Sequence, residues 1–335
     1  MALYDYGNGD AGLFVFPGTA SLDDGSTQPY GSWFTPQPRW FWPSATKVTS
    51  GDFNGDKSND FLALYDYGNG AAGLFVFPGG GEPYRVWYTG TGGFWPSVAK
   101  ITAGDFNDDG LTDVLALYDY GNESAGLWIF PGTAGRWEGA SSPYRVWYTG
   151  PQGFDVKRAK LAGGDFNLDG RDDLVALYDY GNAEAGLWVF PGTPAVGDGS
   201  SNPYMVWNTL PGNFDVAAVR HTDLDDINAD GVPDFIAITD TVVNRFSGTT
   251  GSGGSATIRG EYATIPNLEN RTKIIVGDYN GNGVADIIFL RDLGNNGSAS
   301  LSVLVGGAQT TPSRPVVRVW YTGPGGFWPN VTKVA

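Results

Sequence analysis

Five short stretches of this 335-residue chain carry oxygen side chains at a spacing that suits a hard cation. The clearest is Asp165-Phe-Asn167-Leu-Asp169-Gly170-Arg-Asp-Asp173, with side-chain oxygens at positions one, three, five and nine and glycine at six. Ca²⁺ takes about six to eight oxygens at roughly 2.3–2.6 Å. Alternate residues of a tight loop can bring theirs to one centre, and the glycine allows the sharp turn. The pattern recurs as Asp52-Asn54-Asp56-Asp60, Asp105-Asn107-Asp109-Asp113, Asp226-Asn228-Asp230-Asp234 and Asp278-Asn280-Asn282-Asp286. One copy would read as an ordinary Asp/Asn/Gly turn. Five in register predict calcium loops, about five ions in all. No glutamate stands at position twelve and strand-like residues flank each loop, so these are not EF-hands.

The loops begin at 52, 105, 165, 226 and 278, which sets a repeat of 53, 60, 61 and 52 residues. Each unit reads as four short strands. In the first complete one, strand a is Lys47-Val-Thr-Ser-Gly and strand b Phe61-Leu-Ala-Leu-Tyr-Asp-Tyr67. Strand c is Gly73-Leu-Phe-Val-Phe77 and strand d Tyr84-Arg-Val-Trp-Tyr88. Glycine-rich turns separate them, and no helical periodicity appears. Four antiparallel strands at this period describe a propeller blade. The segment from Met1 begins at strand b, whereas Val331–Ala335 is a strand a with nothing after it. Joined, they complete one more blade and remove two exposed sheet edges. The expectation is an all-β, six-bladed propeller of one domain, 1–335. Its blades are 2–45 plus 331–335, 46–98, 99–158, 159–218, 219–271 and 272–330. A fragment of a seven-bladed propeller is the alternative. The segments 19–28, 133–142 and 193–202 are c–d loop insertions, and blade five diverges with its Gly248–Ser255 stretch.

In such a blade the a–b and c–d loops share one end, and the b–c and d–a loops the other. The second end collects Asp66-Tyr67-Gly68-Asn69 and its copies, with Phe41-Trp42-Pro43, Phe94-Trp95-Pro96 and Phe327-Trp328-Pro329. Indole rings beside Asp, Asn and Tyr suit a sugar, whose C–H faces stack while its hydroxyls take polar partners. Each d–a loop precedes the next blade's b–c loop. That order pairs Trp328 with Asp5 and Asn8, Trp42 with Asp66 and Asn69, and Trp95 with Asp119 and Asn122. At the following junction Phe154-Asp155 replaces Phe-Trp, leaving Asp179 and Asn182 as a weaker site. A structural role competes. Loop tryptophans equally serve blade packing, and Tyr-Asp-Tyr-Gly-Asn equally serves as a turn in which Asp and Asn cap the backbone. Strand aromatics Phe75, Phe77, Trp87, Trp128, Trp147 and Trp188 read as core. Arg85, Arg145 and Arg318 are placed to stack on Trp87, Trp147 and Trp320.

Composition narrows the function. The formal charge of −16 argues against nucleic acid and anionic membrane surfaces. Five divalent ions would add +10 and leave −6, so much of the acidity is ligand charge. There is no cysteine, and no apolar run reaches the length of a membrane span. Modest-affinity calcium loops fill at extracellular calcium, so the expected location is secreted. His221 is the only histidine. A lone histidine is more often structural than a base, there is no cysteine nucleophile or Ser–His pairing pattern, and no spacing singles out a pair of carboxylates, so the chain is expected not to be an enzyme.

The pattern Gly-Asp-Phe-Asn-x-Asp-Gly-x-x-Asp, an apolar strand, then Gly-Leu-(Phe/Trp)-(Val/Ile)-Phe-Pro-Gly resembles FG-GAP/VCBS repeats along essentially the whole chain. Loop one departs with Lys57 at the glycine position, and loop five has Asn282 in place of Asp. The resemblance implies a calcium-bearing propeller like those of integrin α-subunits. It is similar too to fungal seven-bladed propeller lectins that bind sugars between blades, and such repeats occur in some bacterial secreted enzymes and toxins. The expected function is a calcium-stabilised, multivalent carbohydrate-binding module with glycan partners. The alternatives are an integrin-like platform for a protein partner, a non-catalytic appendage of a secreted enzyme and, more remotely, a polysaccharide-degrading enzyme.

Overall fold

The strands assemble into six antiparallel sheets of four, the fold class of a six-bladed β-propeller. A computed structural model describes the chain except residues 37–39, 249–258, 267, 295 and 309–314, so most of the Gly248–Ser255 stretch lies outside the described residues. Two compact units result. Met1–Ser44, Ala218–Ser247 and Ile258–Ala335 form one, and the other is built on Ala45–Ala217.

The second unit holds three consecutive blades. The first is β4 (Thr46–Gly51), β5 (Asp60–Gly68), β6 (Ala71–Phe77) and β7 (Tyr84–Thr89). Next come β8 (Ala99–Gly104), β9 (Asp113–Gly121), β10 (Ser124–Phe130) and β11 (Tyr144–Tyr148). The third is β12 (Ala159–Gly164), β13 (Asp173–Gly181), β14 (Glu184–Phe190) and β15 (Tyr204–Asn208). In the first unit, β16–β19 run His221–Asp225, Asp234–Ile238, Val242–Phe246 and Arg259–Thr264. There β20–β23 run Thr272–Gly277, Asp286–Asp292, Ala299–Leu304 and Val316–Thr322. Its remaining sheet joins the two ends of the chain. β24 (Thr332–Val334) pairs with β1 (Ala2–Gly7), Leu3 opposite Lys333, followed by β2 (Asp10–Val15) and β3 (Tyr30–Phe34). The shared terminal blade expected from the sequence is present.

The middle strands are apolar on both faces because both faces are covered. Every residue of β6 is buried, as are the first six of β5. Between successive blades of the second unit, Phe53, Leu62, Leu74, Val76, Phe94 and Phe130 form one cluster, and Phe106, Leu117, Val146, Phe154 and Phe190 repeat it. Trp87 packs edge-on against Phe94 and Phe130, with centroids 5.8 and 4.8 Å away. Of the strand aromatics read as core, Phe75 and Phe77 are buried. Trp87, Trp128, Trp147 and Trp188 are half-buried and pack against the clusters from outside. The arginines stack on a different ring from the one expected. Arg85 and Arg145 each lie 4.4 Å from the centroid of Tyr88 and Tyr148, and Arg318 lies 5.3 Å from Tyr321. Trp147 instead faces inward to Phe154 and Phe190. The same guanidiniums reach an acid on the next blade's c–d insertion: Arg85 to Glu138, Arg145 to Asp198 and Arg318 to Asp24.

Candidate functional site

Each acidic loop closes the hairpin between strands a and b, and its side chains divide the work. The position-one carboxylate turns back onto the loop's own amides. Asp165 accepts from Asp169 and Gly170 at 3.0 Å each, and Asp52 from Gly55 and Lys57 at 2.8 and 2.9 Å. Asp105, Asp226 and Asp278 do the same. Position five accepts from the amide two residues on, as in Asp56, Asp109, Asp169, Asp230 and Asn282. The amide of the position-three asparagine donates to the position-nine carboxylate: Asn54 to Asp60, Asn107 to Asp113, Asn167 to Asp173, Asn228 to Asp234 and Asn280 to Asp286. All five position-nine carboxylates are 0% exposed. Among the described residues no three His, Asp or Glu side chains form a closed ligand set. The position-one oxygens are occupied by backbone amides, and asparagine supplies part of every loop.

The buried carboxylates carry the electrostatic signature of the loops. Burial pushes Asp173 up to about 8, against the Gly192 amide that pulls it down and with the Asp169 and Asp165 charges adding to it. Burial likewise raises Asp113 to about 7 and Asp60 to about 6, and it raises Asp286. A buried carboxylate without a cation favours its proton. Three buried atoms in these loops have no hydrogen-bond partner among the described residues, Oδ2 of Asp173, Oδ1 of Asn107 and Nε of Arg171. Oxygens left over at positions three and nine fit a divalent cation, which would hold the carboxylates ionised. Loop three shares Asp169 with Arg171, 3.0 Å away. Loop four fits a metal poorly, because Arg245 Nη1 lies 2.9 Å from Asp234 Oδ1.

At the opposite end of the terminal blade and of the three blades of the second unit, the b–c turns are two-residue hairpins. Asn69 and Gly70 both have positive φ, 53° and 71°, as a type I′ turn requires. Asn8, Asn122 and Asn182 hold the same left-handed position and are exposed. The aspartates before them, Asp5, Asp66, Asp119 and Asp179, each accept the amide two residues on at 2.7–2.8 Å. Asp119 also pairs with Lys157 at 3.1 Å. The turn reading of Tyr-Asp-Tyr-Gly-Asn is therefore present in the structure.

The tryptophans do not sit with the partners that chain order suggested. The d–a loop folds back onto its own blade's b–c turn, Gly92 donating to the Asn69 carbonyl and Phe94 to that of Gly70. Trp95 consequently lies across Gly70, where an added Cβ would come within 2.6 Å of the indole. Trp42 covers Gly9 and Trp328 covers Gly297 in the same way, at 2.8 and 2.7 Å. Toward the next blade only backbone is offered: the Trp95 and Trp328 main chains hydrogen-bond the hydroxyls of Tyr118 and Tyr4. The preceding phenylalanines, Phe41, Phe94 and Phe327, are buried, whereas the indoles stay 43%, 44% and 38% exposed. Each indole thus lies against a glycine turn and stays partly exposed.

The sequence held a signal for this arrangement that the reading passed over. Where the loop carries Trp, the turn is Asn-Gly: Asn8-Gly9, Asn69-Gly70 and Asn296-Gly297. Where Asp155 and Asp215 stand instead, the turns are Asn122-Glu123 and Asn182-Ala183. Those aspartates accept the amides of Lys157 and Ala217 at the start of a 3₁₀ turn, and no ring needs the space over the hairpin. Asn296 joins the set, Asn122 leaves the indoles, and Asn182 stands without one, as its junction implied. His221 Nε2 lies 3.3 Å from Asp223 on the same strand.

No curated protein matches the chain. Among solved structures, a chain of a mutant Tc holotoxin pore from Photorhabdus luminescens is similar over 88% of this chain and 14% of that one, at 15% identity and a TM-score of 0.45. Residues 226–289, which span the loop-four hairpin through the loop-five hairpin, match the FG-GAP-like repeat family. The chain is a six-bladed β-propeller in which residues 226–289 match the FG-GAP-like repeat.

Proposed function

We propose that this propeller is a multivalent carbohydrate-binding module of a secreted protein, without catalytic activity of its own, whose acidic loops are held by calcium. A fold of this kind, built on FG-GAP-like repeats, goes with a binding or interaction role, but fold alone does not choose the ligand. The observation that carries the reading is the repeated indole shelf: Trp42 over Gly9, Trp95 over Gly70 and Trp328 over Gly297, each beside an exposed asparagine. A ring held against a turn and partly exposed loses little entropy when a sugar stacks on it. The asparagine amide next to it offers both donor and acceptor to a pair of hydroxyls. Asp5 and Asp66, each bound to the turn amide through Oδ1, stand at the rim of the first two of these turns as secondary partners. Each shelf alone is shallow and weak, and affinity arises from several engaged together. A protein ligand bearing exposed apolar side chains would use the same rings.

Titration of intrinsic tryptophan fluorescence with monosaccharides and branched oligosaccharides tests the reading. The expected result is weak saturable binding, reduced in steps by Trp42→Ala, Trp95→Ala and Trp328→Ala. Saturation that is indifferent to all three replacements would discard the shelves as the site.

A further inference from the structure

In the fifth blade the chain supplies its own cation. Loop four, Asp226 to Asp234, repeats the oxygen pattern of the other four loops. Yet Arg245 reaches into it from β18, with Nη1 2.9 Å from Asp234 Oδ1 and 3.8 Å from Asp230 Oδ2. Among the described residues, the other position-nine carboxylates, Asp60, Asp113, Asp173 and Asp286, meet no basic side chain. Their Oδ1 atoms accept a glycine amide instead, from Gly79, Gly132, Gly192 and Gly306.

The ladder shows that this arginine is a substitution within the repeat. Arg245 stands opposite Ile236, two residues after the position-nine aspartate. At the equivalent rung the other blades pair Leu62 with Val76, Leu115 with Ile129, Val175 with Val189 and Ile288 with Val303. One apolar position in five has become a guanidinium, and its charged end bridges the two carboxylates that a metal would need. Arginine keeps its charge at any ordinary pH and spreads five N–H donors in a fixed fork. It therefore neutralises Asp234, which is 0% exposed, and repels a second cation from the same oxygens.

We infer that Arg245 takes the place of the metal ion in loop four, so that blade five is independent of calcium while the other four acidic loops depend on it. The inference rests on the calcium reading of those loops, and the test separates the two. Native mass spectrometry in calcium should count four ions on the wild-type chain and five on Arg245→Val, which restores the residue of the sister blades. Amide exchange over 226–234 should be unchanged by chelator in the wild type, while exchange over 165–173 quickens by about tenfold or more. In Arg245→Val the 226–234 segment should become chelator-sensitive. Five ions on the wild type, chelator-sensitive exchange at its loop four, or a count of four on a folded Arg245→Val would each overturn the inference. Should Arg245→Val not fold, the wild-type count and exchange decide by themselves. If no loop takes calcium at all, the calcium reading falls and exchange in Arg245→Val decides alone. Quickened exchange at 226–234 keeps Arg245 as the cation of that loop, and unchanged exchange removes it.

Discussion

Stripping calcium should make the stability of this chain depend on pH in an unusual direction. The position-nine aspartates are fully buried, and without a cation burial lifts them from 3.8 to about 6 at Asp60, about 7 at Asp113 and about 8 at Asp173. The folded chain then binds these protons more tightly than the unfolded chain. Their contribution is fully present below the unfolded value near 4 and is lost as pH rises through 6 to 8, so metal-free stability falls with rising pH. At about 1.4 kcal/mol per tenfold, ionising Asp60 costs on the order of 3 kcal/mol and Asp173 on the order of 6 kcal/mol. Unfolding entropy of about 2.1 cal/mol/K per residue makes each kcal/mol worth about 1.4 °C in a chain of 335 residues. Loop three alone should thus lower Tm by about 8 °C on going from acid to mildly alkaline buffer in chelator. Under the proposed calcium reading, a bound ion would keep the carboxylates ionised and add mass-action stabilisation, so in excess calcium the slope should largely vanish. Differential scanning calorimetry from about pH 4 to 9, with chelator and with calcium, reads both curves. Superimposable curves, or a metal-free Tm that climbs with pH, would refute the reasoning.

Other expectations bear on packing and on the turns. Phe94→Ala removes a ring that is 6% exposed and packs against Trp87, Tyr118 and Phe130, and should cost about 3–5 kcal/mol in denaturant unfolding. A loss below about 1 kcal/mol would mean that the blades are not welded there. Gly70→Ala combines φ of +71° with a Cβ 2.6 Å from the Trp95 indole. It should cost about 1–2 kcal/mol and shift the tryptophan emission toward that of a solvated ring; unaltered emission would deny the contact. Arg145→Met copies Met205, which stands at the same place in the next blade. Since its ion pair with Asp198 is partly exposed, the cost should stay within about 1 kcal/mol, and a larger loss of stability would give the clamp a greater part than its exposure allows.

The repeat was legible because it is written in local chemistry. Glycine and asparagine turns, apolar middle strands and the five-fold acidic spacing each constrain the backbone within a few residues, and together they give blades, strand order and terminal pairing. The side-chain partners were harder to read, since they depend on how one loop leans on another. Chain order placed Trp95 beside Asp119 and Asn122, but two backbone bonds to Asn69 and Gly70 draw the loop back to its own hairpin. Arg85 and its equivalents choose the tyrosine next to the expected tryptophan, because a bulge between Arg85 and Trp87 turns indole and guanidinium to different faces of the strand. Arg245 lies eleven residues beyond the carboxylate it meets, and only the strand register brings the two together.

A glycan array probed in calcium with the wild-type chain and with a Trp42→Ala/Trp95→Ala/Trp328→Ala variant tests the central claim most directly. The account predicts a defined set of bound glycans, brighter on dense spots as avidity requires, and their loss in the folded triple variant. An array left dark by the wild type, or lit equally by both proteins, would contradict it.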